Sequence, residues 1–243
     1  MLHIWMGRAR TGKSERVLKK LAELGDSSQQ ILLVPEHASH VAEMDVCRVC
    51  GDAASRHAEV LTFKLLATRV LGICGGSAEV TLDSGGKLLT LQRALTELAP
   101  ALKVYRRASQ RAAFLESLLA VMEELQAYAV EPETLAEKVE DLEGESGDKL
   151  RDIALLYGVY LARLHAPGRD AREALQKLEE NLEASEYIDN KDVFLDGFSY
   201  FTGRELRILR ILLRRSKSVT VTLLGDTDDR ELFSASLRVR AQA

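Results

Sequence analysis

The segment Gly7-Arg8-Ala9-Arg10-Thr11-Gly12-Lys13-Ser14 fits the pattern GxxxxGK[ST], and its flanks leave few folds open. Before it, Leu2-His3-Ile4-Trp5-Met6 is short and largely apolar, as a buried strand would be. After it, Ser14 to Leu24 places Val17, Leu18, Leu21 and Leu24 on one helical face. Strand, glycine loop and helix together make a phosphate cradle. The glycines permit tight turns and close backbone approach. The loop's N–H groups and the helix N-terminus then face an anion. In this pattern Lys13 reaches the β- and γ-phosphates, and Ser14 offers a hydroxyl to Mg²⁺. Without those flanks the same letters would be a glycine-rich turn with a chance Lys-Ser. Arg8 and Arg10 add positive charge that either meets phosphate or is simply solvated.

The α/β texture continues. Ile31-Leu32-Leu33-Val34, stopped by Pro35, reads as a second buried strand. Glu59 to Phe63 reads as a third, with a helix from Leu65 to Leu71. Strands alternating with helices predict a parallel sheet with helices on both faces. From Ser84 to Glu186 no convincing strand occurs. Helical periodicity runs through Leu88–Leu98, Arg111–Tyr128, Glu133–Leu142, Lys149–Leu164 and Arg172–Leu182. Breaks are read at Pro100, at Gly144-Glu145-Ser146-Gly147 and at Ala166-Pro167-Gly168. Strand and helix then return as Asp192–Leu195, Gly203–Arg215 and Val219–Leu224. The expected organisation is a P-loop, RecA-like α/β domain in two parts, 1–83 and 187–243, around an inserted all-helical subdomain, 84–186.

Composition narrows the function. With 33 basic and 37 acidic residues, net charge −4, bulk charge gives no case for nucleic acid, so any such surface is local. The three cysteines, Cys47, Cys50 and Cys74, form no disulfide framework and point to a reducing, cytoplasmic setting. Cys47 and Cys50 make a CxxC, either half of a metal or redox site or two small residues on one helix turn; no second pair completes a ligand set. No run approaches the ~20 apolar residues of a membrane span, so no membrane partner is expected.

A phosphate loop that handles ATP needs an acid at the end of a nearby strand to hold the Mg²⁺ shell. Val193-Phe194-Leu195-Asp196 supplies one, although an Asp there can also cap a turn. Hydrolysing enzymes often follow that acid with a Glu. Here Gly197 follows, and glycine cannot act as a general base. Asp226, in Gly225-Asp226-Thr227-Asp228-Asp229 after the next strand, is a second acid for the same site.

The order of these segments resembles superfamily 1 helicases. Gly7–Ser14 is similar to their first motif, Leu33–Ala38 with Glu43 to the next, and Thr62-Phe63-Lys64 to their DNA-touching Thr-Phe-His segment. Asp196 and Gly225–Asp229 are similar to the Asp-Glu and Gly-Asp-x-x-Gln motifs. Val34–Ala38, Leu195–Phe198 with Phe201-Thr202, and Val219–Leu223 resemble more closely the B subunit of the bacterial ATP-dependent helicase/deoxyribonuclease, the AddB or RexB type.

That resemblance implies an N-terminal fragment of a double-strand-break repair subunit. It implies ATP and Mg²⁺ as cofactors, DNA as ligand and an A-type motor/nuclease subunit as heterodimer partner. An iron–sulfur cluster and the nuclease domain would belong to a C-terminal part beyond these residues. By the same resemblance Thr62, Phe63 and Lys64 contact DNA; the bland alternative makes Phe63 core and Lys64 solvated. Two basic runs, Lys103 to Arg111 and Arg204, Arg207, Arg210, Arg214 and Arg215, are further candidates, the second equally readable as an exposed helix face. Gly197 for Glu and Asp229 for Gln put helicase action by this subunit in doubt. A self-contained P-loop kinase or ATPase with a helical lid, and a non-hydrolysing nucleotide-bound scaffold, are the competing readings.

Overall fold

A computed structural model describes residues 1–51, 53–74, 82–107, 111–164 and 174–226. They fall into two compact units, Met1–Ser77 with Ala174–Ala243, and Ala78–Glu173.

The first unit is a parallel sheet of β1 (Leu2–Gly7), β2 (Gln30–Leu33), β3 (Ala58–Leu61), β4 (Asp192–Leu195) and β5 (Ser218–Leu224). Its order is β1-β5-β4-β2-β3, with every pair parallel. Successive side chains on a strand point to opposite faces, and here both faces are apolar. Ile31, Leu33, Val193, Leu195, Val221 and Leu223 pack on one side, against α3 (Phe63–Cys74), α8 (Ala174–Leu182) and α9 (Gly203–Arg215). Leu32, Val34 and Phe194 face the other side, under α1 (Lys13–Leu24) and α2 (Ser39–Cys50). The α/β sheet with helices on both faces is therefore as the apolar runs predict.

Two local readings of this unit change, and one helix carries little signal in the sequence. The third strand ends at Leu61, and Phe63 is already helical. Thr62 stops the strand because its hydroxyl accepts the Leu65 N–H at 3.2 Å, capping α3. Helix α2 has no strong periodic signal, since it buries only Val46 and exposes Val41, Met44 and Val49. Residues Arg172 to Leu182, expected with the helical insertion, contribute α8, which packs in the core of the sheet unit through Leu178 and Leu182.

The second unit comprises α4 (Ser84–Leu98), α5 (Ala112–Ala127), α6 (Pro132–Glu140) and α7 (Gly144–Leu164) among the described residues. Leu91, Leu95, Leu118, Met122, Tyr157 and Tyr160 form its core. The break between α6 and α7 falls at residues 141–143, with Gly144 at φ 77°, and Glu145 to Gly147 already belong to the first turn of α7. At Gly147 a Cβ would come within 2.2 Å of the Leu142 carbonyl oxygen, so the glycine marks a close approach rather than a helix stop. Asp152 of α7 is 4% exposed and accepts the backbone N–H groups of Lys103, Val104 and Tyr105 at 3.0, 2.8 and 3.0 Å. It fixes the segment after α4 from within the helical core. The Ala166-Pro167-Gly168 break, Asp228, Asp229 and the chain from 227 onward lie outside the described residues.

Candidate functional site

Strand alternation builds the site. Leu195 faces α9, so the next residue, Asp196, falls on the face shared by Phe194, α1 and the glycine loop. On β5, Val221 and Leu223 face α9, which leaves Thr222 on the face of Asp196. The β4–β5 register pairs Leu195 with Val221, so one step further sets Asp196 beside Thr222. The β1–β5 register sets Trp5 on Thr222's other side. Because β5 separates β1 from β4, the loop strand and acid strand stand roughly 10 Å apart, two interstrand spacings. β5 fills that interval, and across its end the charge of Asp196 still acts on Lys13.

Gly7 closes β1, and its carbonyl oxygen accepts the Gly225 N–H at 3.2 Å. Arg10 and Gly12 take left-handed φ values of 61° and 79°. Thr11 Oγ1 donates to the Arg8 carbonyl oxygen at 2.8 Å. Lys13 Nζ lies inside the loop, donating to the carbonyl oxygens of Gly7 and Arg8 at 2.7 Å each. Burial lowers the Lys13 pKa, and the negative charge of Asp196 partly opposes this. Ser14 is exposed on the first turn of α1. No side chain caps that helix, unlike α3, α4 and α9, which Thr62, Asp83 and Thr202 cap. Its first N–H groups therefore meet no side-chain acceptor, as at α2, α5 and α6.

Thr222 Oγ1 donates to Asp196 Oδ1, and the Asp196 backbone N–H bonds the Leu33 carbonyl at 3.0 Å. Asp226 is tied to the loop by Arg8, with Nε and Oδ2 2.5 Å apart. The two strand-end acids therefore meet different partners on the same side of the sheet. Thr222 escaped sequence reasoning, although its alternation with Val221 and Leu223 is the signal that finds it.

Gly197 has φ +83°, where L residues are strained by roughly 1–2 kcal/mol. The position after Asp196 thus turns left-handed, which a glutamate resists. Gly197→Glu is expected to lower unfolding stability by about 1 kcal/mol without creating ATP turnover. Urea titration and a phosphate-release assay check both; new turnover would show that this turn admits a working base.

The remaining candidates lie elsewhere. Phe63 is 5% exposed, its ring set edge-on to Phe198 at 5.5 Å and to Phe201 at 6.5 Å. Thr62 is buried as the α3 cap, and Lys64 is exposed. Along α9, Arg204 and Arg207 pair with Glu179, Arg214 with Glu183, and Arg215 with Asp189 at 2.7 Å. Most of that basic run is neutralised by acids of α8 and the residues after it; Arg210 is exposed. In the other run Lys103 pairs with Asp148 and Arg106 donates to the carbonyls of Ala99 and Pro100, whereas Arg107 and Arg111 are exposed. Cys47 and Cys50 share the last turns of α2, where burial raises the Cys50 pKa. Among the described residues, no three His, Cys, Asp or Glu side chains cluster as a metal site, and no helix is long and apolar enough to cross a membrane.

The family model described as "ADDB, N-terminal" matches residues 4–240. The chain belongs to the ADDB N-terminal family. Proteins named as the B subunit of an ATP-dependent helicase/deoxyribonuclease are similar to it. The one from Thermoanaerobacter sp. strain X514 is 34% identical, over 93% of this chain and 20% of the relative. Those of Clostridioides difficile strain 630 and Desulforamulus reducens are 31% and 33% identical, with the same coverage of 93% and 20%. The chain thus spans about a fifth of the length of the curated relatives it matches. The ADDB N-terminal match takes in the glycine loop from its first glycine, both strand-end acids and the helical unit.

Proposed function

We propose that this chain is the nucleotide-binding, helicase-like part of a helicase/deoxyribonuclease B subunit acting in double-strand-break repair. It holds Mg-ATP at Gly7–Ser14, contacts DNA, and works beside an A-type motor subunit. One observation carries the nucleotide reading. The part-buried ammonium of Lys13 and the half-buried carboxylate of Asp196 share one sheet face, with an uncapped helix N-terminus between loop and α1.

The donor set fits the ligand. Lys13 would exchange the carbonyls of Gly7 and Arg8 for phosphate oxygens. The N–H groups at the start of α1 would bond the same phosphates. The Ser14 hydroxyl and the Asp196 carboxylate would hold Mg²⁺, which supplies charge neutralisation when bound. Gly197 leaves no base beside Asp196, so the reading is one of binding with little turnover. The relatives' printed names support a part in a helicase/deoxyribonuclease, and their naming as B subunits supports a second, partner chain. For DNA, Lys64 offers a backbone contact from the start of α3, while Thr62 and Phe63 support its position from within the fold. The iron–sulfur cluster and nuclease of the family are not assigned to any residue here.

The test is titration of the 243-residue chain with a fluorescent ATP analogue and Mg²⁺. Hydrogen bonds to charged groups contribute about 1.5–3 kcal/mol, so Lys13→Ala should weaken binding roughly 10- to 100-fold. Equal affinity in the variant would reduce the loop to a turn. Brisk DNA-stimulated hydrolysis by the isolated chain would overturn the low-turnover reading.

A further inference from the structure

A carboxylate that is to hold a cation works best when its rotamer is already set, because ordering it on binding costs entropy. Asp196 directly follows β4 and is half-buried, with its backbone N–H on the Leu33 carbonyl. A terminal residue like this has a fixed main chain but a side chain free to turn. The structure shows what stops it. Thr222, 3% exposed in the middle of the sheet, donates its hydroxyl to Asp196 Oδ1. Among the described residues Oδ2 accepts no hydrogen bond, while the Asp196 charge acts on Lys13. One oxygen is therefore clamped and the other accepts no hydrogen bond among the described residues.

Thr222, like Thr220 two residues before it, is a buried hydroxyl on β5. Its strand neighbours Val221 and Leu223 are core, and β5 lies between the loop strand and the acid strand. Valine has nearly the same shape and would pack there without a polar group. At that depth the Thr222 hydroxyl has a hydrogen-bond partner, the strand-end acid Asp196.

We infer that Thr222 is a positioning residue for the cation that accompanies nucleotide: it clamps Asp196 Oδ1 so that Oδ2 faces the Gly7–Ser14 loop. The inference rests on the nucleotide reading above and adds to it a residue from a third strand. Thr222 itself touches neither phosphate nor cation. Its effect is confined to the magnesium-dependent part of the affinity, because Lys13 and the α1 N-terminus bind phosphate without it.

The experiment measures fluorescent ATP-analogue affinity of the full chain twice, with excess Mg²⁺ and with EDTA, together with the thermal midpoint. Wild type should bind more tightly with Mg²⁺. Thr222→Val should lose about tenfold of the Mg²⁺-dependent affinity, the usual size of an outer-shell effect on a metal site, and keep its affinity in EDTA. Thr222→Ser, which retains the hydroxyl, should behave as wild type. If the valine variant fails to fold, Thr222→Ala takes its place. A valine or alanine variant with wild-type Mg²⁺ dependence overturns the inference, as does an equal loss with Mg²⁺ and with EDTA, which marks a merely structural role. A wild type that binds nucleotide with no Mg²⁺ dependence also overturns it while leaving nucleotide binding intact. No binding by wild type overturns the nucleotide reading and this inference together.

Discussion

Asp152→Ala should destabilise the chain by about 3 kcal/mol or more, since each buried group left unpaired costs about 1–3 kcal/mol. The carboxylate is almost fully buried in α7 and gathers three consecutive backbone N–H groups, from Lys103, Val104 and Tyr105. Alanine removes every acceptor at once from a segment that directly follows Leu102, a core residue 1% exposed. Asparagine keeps one carbonyl oxygen but turns an NH₂ toward N–H donors, so it should recover only part of the loss. Urea unfolding followed by circular dichroism measures the cost, and hydrogen exchange at residues 103–105 locates it. An alanine variant with the wild-type midpoint would show that water replaces the carboxylate at little cost.

Phe63→Ala should cost about 3–5 kcal/mol, the range for truncating a buried aromatic. The ring is a member of the sheet core and meets Phe198 and Phe201, which stack on each other at 4.9 Å. Phe63→Leu, which retains much of the volume, should cost less than about 1.5 kcal/mol. The pair of variants separates two roles. A core role predicts that the leucine variant binds single-stranded DNA as wild type does, and that alanine loses binding only as it unfolds. A base-stacking role predicts the reverse: a folded leucine variant with DNA affinity lowered by about 1–3 kcal/mol, the usual worth of one base–aromatic stack. That second outcome would mean the ring leaves its cluster to meet DNA.

Much of the sheet unit was legible along the chain. Continuous apolar runs such as Ile31–Val34 and Val193–Leu195 name parallel strands buried on both faces, and the structure pairs them side by side. The amphipathic stripes of α1 and α9 name their inner faces. Short apolar segments next to polar caps were harder. The run Glu59–Phe63 reads as one strand because periodicity cannot see that Thr62 turns its hydroxyl back to cap a helix. The Gly144–Gly147 stretch reads as a break because glycine usually is one, and only the nearness of Leu142 reveals its other use. Likewise the arginine run of α9 reads as a basic surface until Glu179, Glu183 and Asp189 are found against it.

By itself the sequence determined the local pattern: the glycine loop with Lys13 and Ser14, the acid after β4, and the glycine that follows it. Those features depend on neighbours a few residues apart, and short-range backbone chemistry dictates them. Tertiary structure alone decided the rest. The insertion of β5 between the loop strand and the acid strand brings Thr222 onto Asp196 and Asp226 onto Arg8, pairs separated by 26 and 218 residues. The packing of α3 against the β4–α9 connection turns Phe63 into core. No local pattern encodes such meetings, because they follow from which strands become neighbours, and that is settled only when the apolar faces of the whole sheet are buried together.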